Sequence, residues 1–476
     1  MVDLRILFIE PPKDYWFLMG EHLPPPLALL QLAAYLEAHS PGMEVDVLDC
    51  RAMGLDWRGL ERRLEAEQPD VVAVSGSCTK DAYIVSWTLK LAKEINPKVH
   101  TITGGQHYSA LAEEIMREDP HIDFIVRGEG ERALQELLQS LERGRPPTGV
   151  RGLTFRHGSE VVSTPPQPLI DDLNELPTPA YHFVEEFMDC YHFEMMAPER
   201  RYAIVEGSRG CGYSCSFCTQ SPFWGHRWRG KSPERLAEEF EMLYSDYGVE
   251  LIWLSDDNFP LDKRAERFCR EIIDRGLGDD VSWFVQIRAD SVVERRRLLP
   301  LMKRAGCLWM LIGVESHSPE RLRSYGKALK PQTSREAIRL LKHHGIFSQA
   351  TLIIGDREDD HTSIEALRSF VDELDPDLAT FFILTPFPGT RLFEEASSKG
   401  WIEDWNWEHY DMIHAVMSTR YLSRAEVQEE LYRCYRDFYG SLSRRLRGLL
   451  SGNPLRRRIH RYLTGRAIRS WLRSLI

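Results

Sequence analysis

The sequence predicts an α/β chain: an N-terminal doubly wound, Rossmann-like sheet, then a partial (β/α)6 barrel, then a mainly helical C-terminal region. Three observations predict it. Five short apolar runs alternate with helical patterns over residues 3–142, six more do so over residues 202–385, and three clustered cysteines follow the first run of the second series. With 476 residues, 43% of them hydrophobic and 28% charged, the chain has enough material for two or three buried cores.

In the first series, strands are expected at 4–9, 45–48, 71–76, 101–104 and 124–126, and helices at 26–37, 82–95, 110–117 and 131–142. A doubly wound sheet of this kind, over residues 1–142, binds its ligand at the C-terminal edges of its strands. Those edges carry Asp49, Arg51 and Gly54, then Ser75, Ser77 and Thr79, then Gly104, Gly105, Gln106 and His107, then Gly128 and Glu129. Glycines and small residues there let a bulky ligand approach the backbone. The alternative is that such residues simply end parallel strands. Residues 143–200 read as a connector, with a hairpin over 152–162 turning at His157-Gly158 and prolines at 165, 166 and 168.

In the second series, over 201–390, strands are expected at 203–205, 251–254, 283–287, 310–314, 350–354 and 381–384. Barrel chemistry sits at the C-terminal strand ends. The first end carries Cys211, Cys215 and Cys218 at C-x3-C-x2-C spacing, with Phe217 before the last. A closed zinc site wants four ligands and a disulfide two, so a triple suggests an iron-sulfur cluster with one iron open. The alternative is a zinc-ribbon fragment whose fourth ligand lies far away. Later strand ends carry Asp256 and Asp257, Gln286 and Arg288, Glu315, and Ile353 with Gly355.

The net charge of −12 argues against nucleic acid as a partner, and no run of 18 apolar residues is present. The N-terminus lacks a signal-peptide layout and the other six cysteines are scattered, so a cytoplasmic protein with reduced thiols is expected. Residues 391–440 are expected to cap the barrel and meet the substrate, with a helix over 423–438. Residues 441–476 hold ten arginines and no acid, interleaved with leucine, isoleucine and tryptophan. Such an amphipathic tail can lie on an anionic membrane or dock on the acidic body of the chain, and membrane contact is the expectation.

The run from Ser208 to Cys218 resembles the signature of the radical S-adenosylmethionine superfamily. With Arg127-Gly128-Glu129-Gly130-Glu131 and Phe223-Trp224, the chain to about Gly440 resembles its cobalamin-dependent class. The resemblance points to the group of the anaerobic magnesium-protoporphyrin IX monomethyl ester oxidative cyclase and its methylase relatives. The turn over 385–390 is nearer the general form of the class than the cyclase's own.

That resemblance implies three cofactors: a 4Fe-4S cluster on Cys211, Cys215 and Cys218, S-adenosylmethionine, and cobalamin in the first sheet. It implies S-adenosylmethionine contacts from Phe217, Asp256 or Asp257, Gln286, Arg288, Glu315, Ile353 and Gly355. It also implies a small-molecule substrate and a reductant such as ferredoxin or flavodoxin. Reductive cleavage would give a 5'-deoxyadenosyl radical acting on an unactivated carbon of a large hydrophobic substrate. A tetrapyrrole cyclase-like reaction is expected, with C-methyl transfer as the alternative and a non-catalytic iron-sulfur sensor or electron carrier as a distant one.

Asp49-Cys50-Arg51-Ala52-Met53-Gly54 keeps the spacing of the cobalt-ligating D-x-H-x-x-G segment but replaces the histidine with arginine. A guanidinium has no lone pair for cobalt. Arg51 is therefore expected beneath a corrin with no histidine ligand. The alternatives are a solvated strand-end Arg51, or a nitrogen ligand such as His107.

Overall fold

The computed structural model describes residues 4–13, 22–76 and 78–473, of which 466–473 are described as helical backbone only. In the first sheet, β1 (Arg5–Glu10), β2 (Glu44–Asp49), β3 (Val71–Ser75), β4 (His100–Gly104) and β5 (Phe124–Val126) run parallel in the order β2-β1-β3-β4-β5. Ile6, Phe8, Val71 and Ala73 pack with α1 (Leu27–His39), and Leu7, Ile9, Val72 and Val74 face the opposite layer. Burial on both faces explains why these strands read as unbroken apolar runs.

A mostly charged helix, α2 (Trp57–Glu67), lies on that opposite layer, where no helix was expected. Leu60 and Leu64, one turn apart, are its buried anchors, and Asp56 starts it by accepting from Gly59 N at 2.8 Å. It is followed by α3 (Ala82–Ile95), and α4 (Gly130–Glu142) closes the α1 face.

The hairpin expected in the connector, β6 (Leu153–His157) and β7 (Glu160–Ser163), belongs to this sheet. It pairs antiparallel with β5 through Phe124–Phe155, Ile125–Thr154 and Val126–Leu153. An open β5 would leave a row of unpaired N–H and C=O groups, and the hairpin covers them.

The six strands of the second series form one parallel sheet in sequence order: β8 (Arg201–Val205), β9 (Val249–Leu254), β10 (Ser282–Ile287), β11 (Cys307–Glu315), β12 (Phe347–Ile354) and β13 (Leu378–Ile383). This is the expected partial barrel. Its interior stacks Trp253 on Phe284 (5.8 Å, 7°) and Phe284 on Trp309 (5.7 Å).

The open edge at β13 is sealed by α5 (Arg424–Gly440). Tyr435 Oη donates to the Phe381 carbonyl (2.8 Å) and accepts from its N–H (3.0 Å). Tyr439 Oη does the same at Ala379 (2.7 and 3.2 Å). Tyr435→Phe leaves both Phe381 groups unpaired and is expected to lower unfolding stability by roughly 1–3 kcal/mol. Denaturant unfolding against the control Tyr432→Phe, at an exposed site, checks this.

The tail forms α6 (Leu442–Leu449) and α7 (Pro454–Arg473), and much of its described part docks on the body of the chain. Ile459 is fully buried at the base of the barrel among Phe193, Trp309 and Phe347. Arg444 is buried against Asp375 (2.6 Å) and Asp372 (3.1 Å), Arg456 pairs with Asp377 (3.1 Å), and Tyr462 donates to Glu194 (2.7 Å). The tail's cations thus meet the acids of the body. The side chains of Ile468, Trp471, Leu472 and Leu475 lie outside the described residues. Among those described, no helix is long and apolar enough to cross a membrane.

Candidate functional site

Strand β8 delivers the cysteine loop to the C-terminal mouth of the barrel. Its root is held by Asp256, which is fully buried and accepts from Gly207 N (2.7 Å), Ser208 N (2.9 Å) and Ser208 Oγ (2.5 Å). Burial pushes its carboxyl up to about 6. These bonds occupy the carboxylate, so Asp256 anchors the loop. Asp257 accepts from Gly210 N (3.1 Å), and burial, with Glu206 and Asp256 nearby, pushes it up to about 7.

Gly210 has φ +84°, and a side chain there would collide with the Arg227 carbonyl. Cys211, Cys215 and Cys218 are free and half-buried, and Cys218 N donates to the Cys215 carbonyl (3.2 Å). Burial raises all three thiols, Cys218 to about 11. Burial thus disfavours free thiolates at all three. Among the described residues, no three His, Cys, Asp or Glu side chains surround a single ion. The donor set fits a cubane, in which each thiolate takes its own iron and the sulfurs stand apart.

The other strand ends converge on this loop. Arg288 forks onto Asp290 (3.1 and 2.7 Å) and lies 3.6 Å over the ring of Tyr213 inside the loop. Gln286, half-buried on β10, accepts from Phe259 N (3.0 Å) through its backbone carbonyl. Glu315 is buried at φ +62°, a left-handed geometry that strains a non-glycine residue. It is held there by Lys327 Nζ (2.5 Å) and Thr351 Oγ1 (3.3 Å). Lys327 is buried and was not expected from the sequence. The charges of Lys327 and Glu315 both reach Cys215.

Phe217 and Ile353 share an apolar cluster with Tyr325, Phe217 lying edge-on to Tyr325 at 5.3 Å. Gly355 directly follows β12. Its φ is +79°, but a side chain there would meet Val427 of α5 (3.0 Å) and Ile383 of β13 (3.3 Å). The close approach it permits is helix packing against the sheet.

Between the two sheets lies a cavity of about 450 Å3. The first sheet contributes Ser75, Gly104, Gly105, Gln106, Gly128 and Glu129 to its wall, with Leu27 and Gln31 from α1. The barrel contributes Glu206, Trp253 and Ser255, and the cysteine loop region contributes Arg209 and Trp224. A side chain at Gly104 would stand 2.7 Å from the Val126 carbonyl, and Gly105 adopts φ +97°. Gly128 N donates to Ser109 Oγ (3.0 Å), and Gln106 spans the sheets by bonding Gln220 (2.7 Å) and Thr219 (2.9 Å). Trp253 Nε1 is a buried donor with no hydrogen-bond partner among the described residues. Apolar walls, strand-end glycines and an orphan indole N–H suit a corrin, whose rim carries amide carbonyls.

Asp49, Arg51 and Gly54 do not line this cavity, because they follow the edge strand β2. Asp49 accepts from Arg51 N (3.0 Å), Ala52 N (3.2 Å) and Tyr191 Oη (2.9 Å), and Arg51 reaches the His22 carbonyl (3.4 Å). The expectation of Arg51 beneath a corrin in this cavity is thereby corrected. Thr79 and His107 are buried but lie off the wall. His107 sits edge-on to Trp407 at 5.1 Å, and burial lowers its pKa to about 4, so it is neutral. Ser77 lies outside the described residues.

The wall is closed by a cluster of buried charges that spacing could not reveal. Arg209 donates to Glu129 (2.7 Å), Glu131 (2.6 Å) and Glu206 (2.8 Å), and Arg229 donates to Glu129 (2.8 Å). The arginines lie 5.5 and 5.6 Å from the Trp224 ring centre. These charges pair the end of the first sheet's domain with the cysteine-loop region.

Residues 21–138 match the family model of a B12 binding domain, and residues 205–370 that of the Radical SAM superfamily. The chain is 35% identical to an uncharacterised methyltransferase of Pyrococcus horikoshii over 92% of this chain and 93% of that one. It is 30% identical to the anaerobic magnesium-protoporphyrin IX monomethyl ester cyclase of Rubrivivax gelatinosus over 92% and 77%. The radical S-adenosylmethionine methyltransferase TsrM from Kitasatospora setae, solved with cobalamin and a 4Fe-4S cluster, shares the fold. Its TM-score is 0.73, covering 98% of this chain and 100% of that one at 18% identity. The chain belongs to the cobalamin-dependent radical S-adenosylmethionine enzymes, whose cofactors are cobalamin, a 4Fe-4S cluster and S-adenosylmethionine.

Proposed function

We propose that the protein transfers a methyl group from S-adenosylmethionine to an unactivated carbon of a largely apolar small molecule. The shared cavity carries this reading, because strand ends of the first sheet and the root of the cysteine loop are parts of one wall. When bound, the cluster and S-adenosylmethionine supply a 5'-deoxyadenosyl radical and the corrin supplies a transferable methyl group.

Cys211, Cys215 and Cys218 would hold the cluster. Asp257, Gln286, Arg288 and the Glu315–Lys327 pair would orient S-adenosylmethionine, with Phe217 and Ile353 against its base. Ser75, Gly104, Gly105, Gln106, Gly128 and Trp253 would cradle the corrin. The aromatic cluster of Tyr325, Phe387, Trp401, Trp407 and Tyr410 would keep water from the mouth of the barrel. A ferredoxin- or flavodoxin-type protein would supply electrons. The scatter of the six cysteines outside the loop agrees with a reducing, cytoplasmic setting. A peripheral membrane contact would use α6, where Leu442 and Leu446 are exposed at one-turn spacing, with Leu450 just beyond its end.

The cyclase relatives favour a second reading, oxidative ring closure of a tetrapyrrole. The anaerobic, reconstituted enzyme, given methyl-labelled S-adenosylmethionine, separates the two. Its substrates would be a small-molecule extract of its native cells and, in parallel, magnesium-protoporphyrin IX monomethyl ester. We expect label in a product of the extract. Unlabelled ring closure of the tetrapyrrole, with 5'-deoxyadenosine formed, would replace methyl transfer by the cyclase reading.

A further inference from the structure

We propose that Arg209 is a positioning residue which couples occupancy of the cobalamin cavity to the geometry of the cluster-binding loop, so that each cofactor strengthens binding of the other. This rests on the proposed roles of the cavity and of Cys211. Arg209, Glu129, Glu131, Glu206 and Trp224 all line the cavity, so a ligand there packs directly against the ion cluster. Arg209, Glu129 and Glu131 are each at most 5% exposed.

From Arg209 the chain reaches Cys211 through Gly210 alone. That glycine is closely held: its φ is +84°, its N–H is spent on Asp257 (3.1 Å), and a side chain on it would strike the Arg227 carbonyl and Trp224. A shift of the guanidinium must therefore move the first cluster ligand or break its bonds to three carboxylates. The reverse holds as well, because seating Cys211 on iron fixes the backbone from which Arg209 reaches Glu129 and Glu131. The fork geometry matters. Nε takes Glu206, Nη1 takes Glu129 and Nη2 takes Glu131, which a lysine ammonium on one flexible stem cannot reproduce. Trp224 braces the arrangement, lying against both Arg209 and Arg229.

Coupling of this kind is reciprocal: whatever factor the cluster adds to cobalamin affinity, cobalamin adds to the cluster. The test measures the cobalamin Kd by visible absorption, without oxygen, on cluster-free and cluster-loaded full-length protein. The wild type is expected to bind hydroxocobalamin several-fold more tightly when the cluster is present. Arg209→Lys is expected to bring the ratio of the two Kd values close to one. Glu131→Gln guards against a misfolded variant, since it keeps an acceptor for Nη2 and leaves Glu129 and Glu206 in place. It should reduce the ratio part of the way. Arg227→Gln, which loses only the exposed pair with Asp171, should leave it at the wild-type value. A role confined to stability would weaken both Kd values together and preserve the ratio.

A wild-type ratio of one, or a ratio unchanged in both Arg209→Lys and Glu131→Gln, overturns the proposal. Wild-type protein that takes up no cobalamin or no cluster would overturn the assignment of the sites instead.

Discussion

Cys218→Ala is expected to abolish reductive cleavage of S-adenosylmethionine, with a fall of more than about a thousandfold in 5'-deoxyadenosine formation, roughly 4 kcal/mol of barrier. The three cysteines lie on one loop whose root is clamped by Asp256 and whose first turn is fixed by Gly210, so no other thiol can swing in to replace a lost one. Cys269, Cys307 and Cys434 are buried in the packed core, where burial raises their thiols to about 12 or beyond. Iron and sulfide content should fall with activity. Cys190→Ser, outside the loop, should leave both intact. A Cys218→Ala protein that keeps a full cluster and forms 5'-deoxyadenosine would refute the assignment.

Ile459→Asp is the second large effect. It would bury a carboxylate among Phe193, Trp309 and Phe347, at an expected cost of roughly 3–5 kcal/mol. Against a typical stability of about 5–15 kcal/mol, this removes much of the margin of the fold. The expected outcome is a sharp loss of soluble protein and of the denaturant midpoint. Ile459→Val should cost only about 0.5–1.5 kcal/mol. A tail that served only to touch a membrane would leave Ile459 free, and Ile459→Asp would then raise solubility. Removing residues 441–476 should resemble Ile459→Asp, because α7 plugs the base of the barrel.

What the sequence disclosed was local. Alternating apolar runs gave both parallel sheets, and the cysteine triple marked its own strand end, because these signals lie within a few residues of each other. The missed features are long-range pairs. Arg209 meets Glu131 across 78 residues, and each alone reads as a charged residue beside a glycine. Lys327 stands 12 residues past Glu315, in a stretch with no strand-end signal. Asp256 and Asp257 are chemically alike in sequence, and only their hydrogen-bond partners set the loop anchor apart from its neighbour. The stripe of α7 was legible as apolar and basic, but amphipathicity does not say whether lipid or protein will cover it. Arg51 was misread because spacing alone carried it, whereas strand order places it at the edge of the sheet.

In the proposed function, one cavity sets a corrin against the root of the cluster loop. Pulsed electron paramagnetic resonance of the anaerobically loaded enzyme, poised with cob(II)alamin and the reduced cluster both paramagnetic, measures their separation directly. Strong dipolar coupling between the two centres is expected, and it should vanish in Cys218→Ala while the cob(II)alamin signal persists. Two signals that relax independently in the fully loaded wild type would contradict it.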